Sequence, residues 1–109
     1  MDLKDIPFET FDLQKIAPEE HSGVTGKAFW KTVKKGNVRI RIVEYTPGYL
    51  ADHWCSKGHA VYVLEGEFDS ELKDGRKFRL SPGMCYLVAD NVDPHRSYSE
   101  KGVKLLIVD

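Results

Sequence analysis

From Gly26 onward the chain is written in short runs of extended character, each closed by a turn signal. Nowhere do apolar residues recur every three to four positions for long enough to build a helix. The runs are Lys27–Val33, Val38–Tyr45, Ala60–Leu64, Asp69–Leu72, Lys77–Leu80, Met84–Val88, His95–Ser99 and Val103–Val108. Between them stand Lys35-Gly36-Asn37, Pro47-Gly48, Glu65-Gly66, Lys73-Asp74-Gly75 and Ser81-Pro82-Gly83. Asp-Gly supplies the positive φ angles of a tight hairpin, and regular spacing of such turns is the rhythm of sandwiches and barrels. About eight strands are expected, the number used by a jelly roll. The fold class predicted is therefore all-β.

Alternation within the runs assigns faces. In Val38–Tyr45, Val38, Ile40 and Ile42 fall on one face and Arg39 and Arg41 on the other. The predicted inward set is Val38, Ile40, Val61, Val63, Leu80, Leu87, Leu105 and Ile107. A chain of 109 residues has room for one such core. Residues 1–23 are interrupted by Pro7, Pro18 and Gly23 and read as an N-terminal arm before a barrel over 24–109. The arm carries Ile6, Phe8, Phe11 and Ile16, apolar enough to pack on the barrel. A two-fold homodimer, with the arm reaching toward a second subunit, is the expected assembly.

Sixteen basic and seventeen acidic residues, spread along the chain for a net charge of −1, give no electrostatic footprint for nucleic acid or an anionic membrane. No apolar run approaches the roughly 20 residues that span a bilayer. The opening MDLKDIPFETFDLQ is acidic and lacks the apolar stretch of a secretory signal, so the expected compartment is the cytoplasm. A reducing compartment argues against a disulfide between Cys55 and Cys85.

The chemistry concentrates in Gly48–Gly66, GYLADHWCSKGHAVYVLEG. If this segment is extended, His53 and Cys55, two apart, share a face. Lys57-Gly58 then offers a turn and His59 opens the next run. His95 begins a later strand behind Pro94, whose fixed φ stiffens the approach. His53, His59 and His95 form the candidate metal set, with Cys55 as fourth ligand or close neighbour. Imidazole and thiolate suit Zn²⁺ and other late first-row metals. Cys55 has an alternative reading as a small buried hydrophobe. For Cys85, between Met84 and Tyr86, core packing is the better reading. Asp52 is expected to point away from the site, Glu65 to belong to a turn, and His21 to be solvated. Trp54, Tyr62, Tyr86 and Tyr98 either line a pocket or pack. Neither a Ser–His–Asp arrangement nor a phosphate-binding glycine loop is legible.

At these residues the chain resembles the cupins. Gly48–Gly66 is similar to their first motif, a glycine followed by His-x-His, then Glu and a closing glycine. Residues 75–99, GRKFRLSPGMCYLVADNVDPHRSYS, resemble the second motif, in which a Pro-Gly turn precedes a strand and a histidine. ADHWC at 51–55 looks like a local variant of the motif of small bacterial DHCW-motif cupins. The resemblance covers residues 24–109 and implies a cupin-type jelly-roll β-barrel with a divalent metal. Cys55 stands where the second histidine is expected and His59 where the glutamate is expected, while Ser99 replaces an asparagine found in some members. That donor set moves preference from Mn²⁺ toward Zn²⁺, with Fe²⁺ or Ni²⁺ as alternatives. The implied function is a metalloenzyme acting on a small organic molecule. The alternatives are a non-catalytic, metal-dependent barrel that binds or senses a small molecule, and a metal-free structural barrel. Four protein ligands would close the centre, whereas three leave a position for water or ligand.

Overall fold

The computed structural model describes residues 2–109. Ten short strands follow a single 3₁₀ turn at Leu13–Lys15: β1 (Glu19–Ser22), β2 (Lys27–Lys35), β3 (Val38–Tyr45), β4 (Tyr49–Leu50), β5 (His59–Gly66), β6 (Phe68–Leu72), β7 (Lys77–Leu80), β8 (Cys85–Val88), β9 (His95–Ser99) and β10 (Val103–Val108). All pairings are antiparallel. One sheet has the order β1-β2-β3-β10-β5-β8 and the other β4-β9-β6-β7. Strands next to one another in space are far apart in sequence, as β10 is from β3, which is the winding of a jelly roll. Among the described residues no helix is long and apolar enough to cross a membrane. The eight expected runs are all strands; β1 and β4 are additional, too short to carry a period.

The turns do what their residues demand. Gly36 and Asn37 join β2 to β3, and Gly36 takes φ +53°, which a Cβ would resist. Between the sheets lie Val43, Val61, Val63, Phe68, Leu80, Val103, Leu105 and Ile107, all buried, with Trp30, Tyr45 and Tyr86 packed against them. Burying roughly 25 cal/mol per Å² of this apolar surface is the main force holding the sheets together.

Two expectations about faces are overturned. In β3 the residues in phase with core Val43 are Arg39, Arg41 and Tyr45, so the arginines point into the barrel and Val38, Ile40 and Ile42 lie on the outer face. The physical reason is that each arginine finds a buried carboxylate partner inside. The outer face meanwhile is partly sheltered by N-terminal residues: Phe11 and Leu13 border a groove with Phe29, Ile42 and Leu64. Lys35 Nζ of β2 lies 5.5 Å from the Phe11 ring centroid. The second overturned residue is Leu87, predicted inward but 80% exposed, because β8 is a sheet edge on which Tyr86 takes the inward side. Its neighbour Cys85 is exposed for the same reason, so it does not pack in the core. His21 is half-buried rather than solvated, with its ring centroid 4.0 Å from that of Trp30.

Candidate metal centre

Three donors converge at one end of the barrel. Cys55, His59 and His95 each offer an atom within 4.8 Å of the others. Their placement follows from backbone pairing. Cys55 lies in the loop after β4, yet two hydrogen bonds clamp it opposite the first residue of β9: its N–H donates to the His95 carbonyl at 2.7 Å and the His95 N–H donates back at 3.0 Å. Residues paired this way put their side chains on one face. His59 opens β5 in the other sheet, opposite Val88. Gly58 lets it enter there, because a Cβ at residue 58 would lie 2.6 Å from the Asp90 nitrogen. Gly58 thus serves close approach of two chains, not the predicted turn.

His53 is placed elsewhere. The chain bends at Asp52–His53 instead of running extended, so His53 does not share a face with Cys55. Its side chain is 73% exposed and its Nδ1 lies 2.7 Å from Asp52 Oδ1. It borders the mouth of the cavity but stands outside the converging group.

The ring orientations suit a cation. His95 Nδ1 lies 2.8 Å from the Asp93 carbonyl oxygen, which can only accept, so Nδ1 carries the hydrogen and Nε2 faces the group. His59 Nε2 lies 2.9 Å from His95 Nε2 and 3.3 Å from the Tyr86 hydroxyl. Burial raises the Tyr86 pKa, so this hydroxyl stays protonated and donates to His59 Nε2. His59 Nδ1, buried without a hydrogen-bond partner, points toward Asp109 Oδ2 at 3.6 Å. Both histidines therefore turn Nε2 to the same point, where a proton or a metal ion fits between them. Nitrogens about 3.3 Å apart would suit tetrahedral Zn²⁺, a small opening of the observed spacing. The residues fit a three-ligand centre.

Electrostatics agree with that geometry. Burial, and then the neighbouring His95, pull His59 down to about 4, keeping it neutral. The hydrogen bond between Cys55 and His95 lowers the thiol and raises the imidazole, so the pair leans toward thiolate and imidazolium. Thiolate and a displaceable proton are what a metal ion exchanges into.

Beneath the triad runs a charged row. The registers β10–β3 and β10–β5 place Ile40 and Ala60 opposite Val108, so Arg39 and His59 flank Asp109 from the two sides. Arg39 Nε and Nη2 each donate to the Asp109 carboxylate at 2.9 Å, and Arg41 Nη2 donates to Oδ2 at 3.2 Å. The Asp109 side chain is only 2% exposed. Burial alone would raise its pKa, but the Arg39 hydrogen bonds and both guanidinium charges outweigh that and hold it below the usual carboxylate range. At 3.6 Å Asp109 makes no hydrogen bond to His59 Nδ1, but its charge favours a hydrogen there, as outer-shell carboxylates do in metal sites. Sequence reading missed Asp109 and both arginines. Their only local signal was the phase of Arg39 and Arg41 with Val43 and Tyr45.

No family model matches the sequence, and no curated protein matches it. Solved structures do match. A predicted oxalate decarboxylase from Thermotoga maritima superposes with TM-score 0.76 at 16% identity, over 92% of this chain and 96% of that one. Ectoine synthase from P. lautus gives 0.74 at 18%, over 93% and 76%. The Cnp3 cupin domain of Schizosaccharomyces pombe gives 0.72 at 13%, over 91% and 71%. The fold is that of a small cupin. Within this fold the triad lies at one end of the barrel, where the two sheets bring β5 and β9 together, and a cavity of about 180 Å³ opens beside it.

Proposed function

We propose that this small cupin is a metalloenzyme acting on a small organic molecule at a centre built by Cys55, His59 and His95. The observation that carries the reading is the convergence of these three donors beside a cavity. Three protein ligands leave a fourth position open, the arrangement of catalytic rather than structural zinc. Zn²⁺ is the favoured ion, since a thiolate and two imidazoles are its preferred donors, with Fe²⁺ or Ni²⁺ as alternatives. Such an ion, when bound, would polarise a substrate oxygen or acidify a water molecule. The chain's own residues supply the rest. Asp109 orients His59, the Asp93 carbonyl orients His95, and Tyr86 holds a hydroxyl hydrogen at the site. A cytoplasmic setting would keep Cys55 reduced.

His53 belongs to this reading in a lesser role. From the cavity mouth it could join the ion only by releasing Asp52 and swinging inward. The competing possibility, a non-catalytic barrel that binds or senses a small molecule through the metal, uses the same ligands and differs only in turnover. The test is elemental analysis of protein purified without a histidine tag. About one equivalent of metal, abolished by His59→Ala or His95→Ala, is the expected result; metal-free protein that takes up neither zinc nor iron on dialysis would end the proposal. Assembly as a homodimer is part of the same reading. Tyr62, Leu64 and Leu87 are exposed on the six-stranded sheet, an apolar surface more suited to a second copy than to water.

A further inference from the structure

The cavity beside the triad has an unbalanced lining. Arg39, Arg41 and Arg96 contribute to its wall, and no Asp or Glu does. Arg96 is matched from outside by Glu71 at 3.1 Å and stacks on Trp54, 4.5 Å from its ring. Arg39 and Arg41 share the one Asp109 side-chain carboxylate, and Arg41 has the smaller part of it. Arg39 takes both carboxylate oxygens in a fork, whereas Arg41 uses one of its five N–H donors, and its buried Nε has no partner at all. Its side chain is only 6% exposed and borders the cavity. A buried guanidinium with unmatched donors is costly unless something else satisfies it.

Such a group serves best as a receptor for a planar anion, because the guanidinium fork matches a carboxylate in shape and charge. Beside Arg41 the wall is apolar and aromatic: Trp30, whose ring lies 4.5 Å from the Arg41 guanidinium carbon, with Val61, Leu105 and Ile107. A volume of about 180 Å³ falls below the roughly 300 Å³ at which drug-sized pockets begin, so the molecule admitted is compact. We infer that Arg41, supported by Arg39, is the recognition site for the carboxylate of a small organic acid whose other end reaches the Cys55–His59–His95 triad. This rests on the reading of that triad as the reactive centre and names the class of molecule it acts on.

Trp54→Phe protein provides the test, because Trp30 is then the only tryptophan and sits against Arg41. Carboxylates of two to four carbons and their neutral amides are titrated while Trp30 emission is followed, with and without added Zn²⁺. Saturable quenching or shift by carboxylates and not by amides is expected. Adding Arg41→Gln should weaken it at least tenfold while metal content stays unchanged. Equal response to amides, no response to either series, or undiminished binding in Arg41→Gln would overturn the inference. Arg41→Lys keeps the charge without the fork and replaces the glutamine variant should that one not fold; unweakened carboxylate binding in it is equally fatal. A His95→Ala background separates the two readings. Carboxylate binding that persists there without metal supports the Arg41 site on its own. Metal binding to the parent protein with no carboxylate response leaves the centre standing and removes this site.

Discussion

Cys55 and His95 are held face to face by a reciprocal pair of backbone hydrogen bonds, 2.7 and 3.0 Å long, although forty residues of mixed strand and loop separate their positions along the chain. The thiol and the imidazole are thereby pre-set at one point before any ion arrives. A ligand pair fixed by backbone should lose metal when either side chain changes and keep its fold. Cys55→Ser is expected to reduce metal affinity by more than the roughly tenfold typical of an outer-shell change. Cobalt-substituted protein reads this directly, since its thiolate-to-metal absorption band should vanish in Cys55→Ser and persist in Cys85→Ser. A band surviving in Cys55→Ser would exclude the thiol as ligand.

The same pair dictates how affinity depends on pH. His95 titrates above its ordinary value because of its hydrogen bond with Cys55, so a proton competes with the ion for its place. Below that raised pKa, each displaced proton costs the ion up to about tenfold in affinity per pH unit. His59, neutral down to about 4, adds nothing to this competition until far lower pH. Zinc affinity should therefore climb as pH rises and level off only above the ordinary imidazole value of about 6.5, and calorimetry in buffers of different ionisation heat should report release of about one proton. A flat profile over that range would contradict the assignment of His95.

Asp109 carries stability as well as orientation. Replacing it by Asn leaves Arg39 and Arg41 facing each other without a counter-charge, and breaking a buried pair of this kind costs about 3 kcal/mol. The sign with pH follows from its depressed pKa. Its contribution is fully present above the ordinary aspartate value of about 4 and is lost as pH falls below that, through the folded-state value. Urea midpoints of wild type and Asp109→Asn should differ widely at pH 7 and converge toward pH 3. A constant difference across that range would place the effect in packing rather than charge.

How far the sequence spoke depended on whether a signal was local. Turn residues such as Asp74-Gly75 and runs such as Val103–Val108 act on their immediate neighbours, so the strands and the all-β class were readable. His59 and His95 were readable because each opens a strand beside a stiff or tight residue. His53 was misplaced because a spacing of two shares a face only in extended chain, and the chain bends at Asp52–His53. Arg41 was placed outside because isoleucine ordinarily outranks arginine for the core, and nothing nearby announces the carboxylate that reverses this. That carboxylate sits about seventy positions away in sequence, and only the register of β3 on β10 brings it across.

Leu87 is 80% exposed on β8, and the neighbouring strand β5 adds the exposed side chains of Tyr62 and Leu64. An unpaired edge with apolar side chains is a template for another chain, and a closed two-fold contact is the economical way to cover it. Sedimentation velocity should show a dimer for the wild-type protein. Leu87→Glu places a charge at that contact and should give a monomer, yet the position is 80% exposed, so its unfolding free energy should change by no more than about 0.5 kcal/mol per chain once dimer dissociation is allowed for. Leu105→Ala supplies the contrast. Leu105 is 1% exposed between the sheets, and its truncation should cost about 2–5 kcal/mol without altering the oligomeric state. Wild-type protein that sediments as a monomer at high concentration would remove the dimer and leave the core prediction intact.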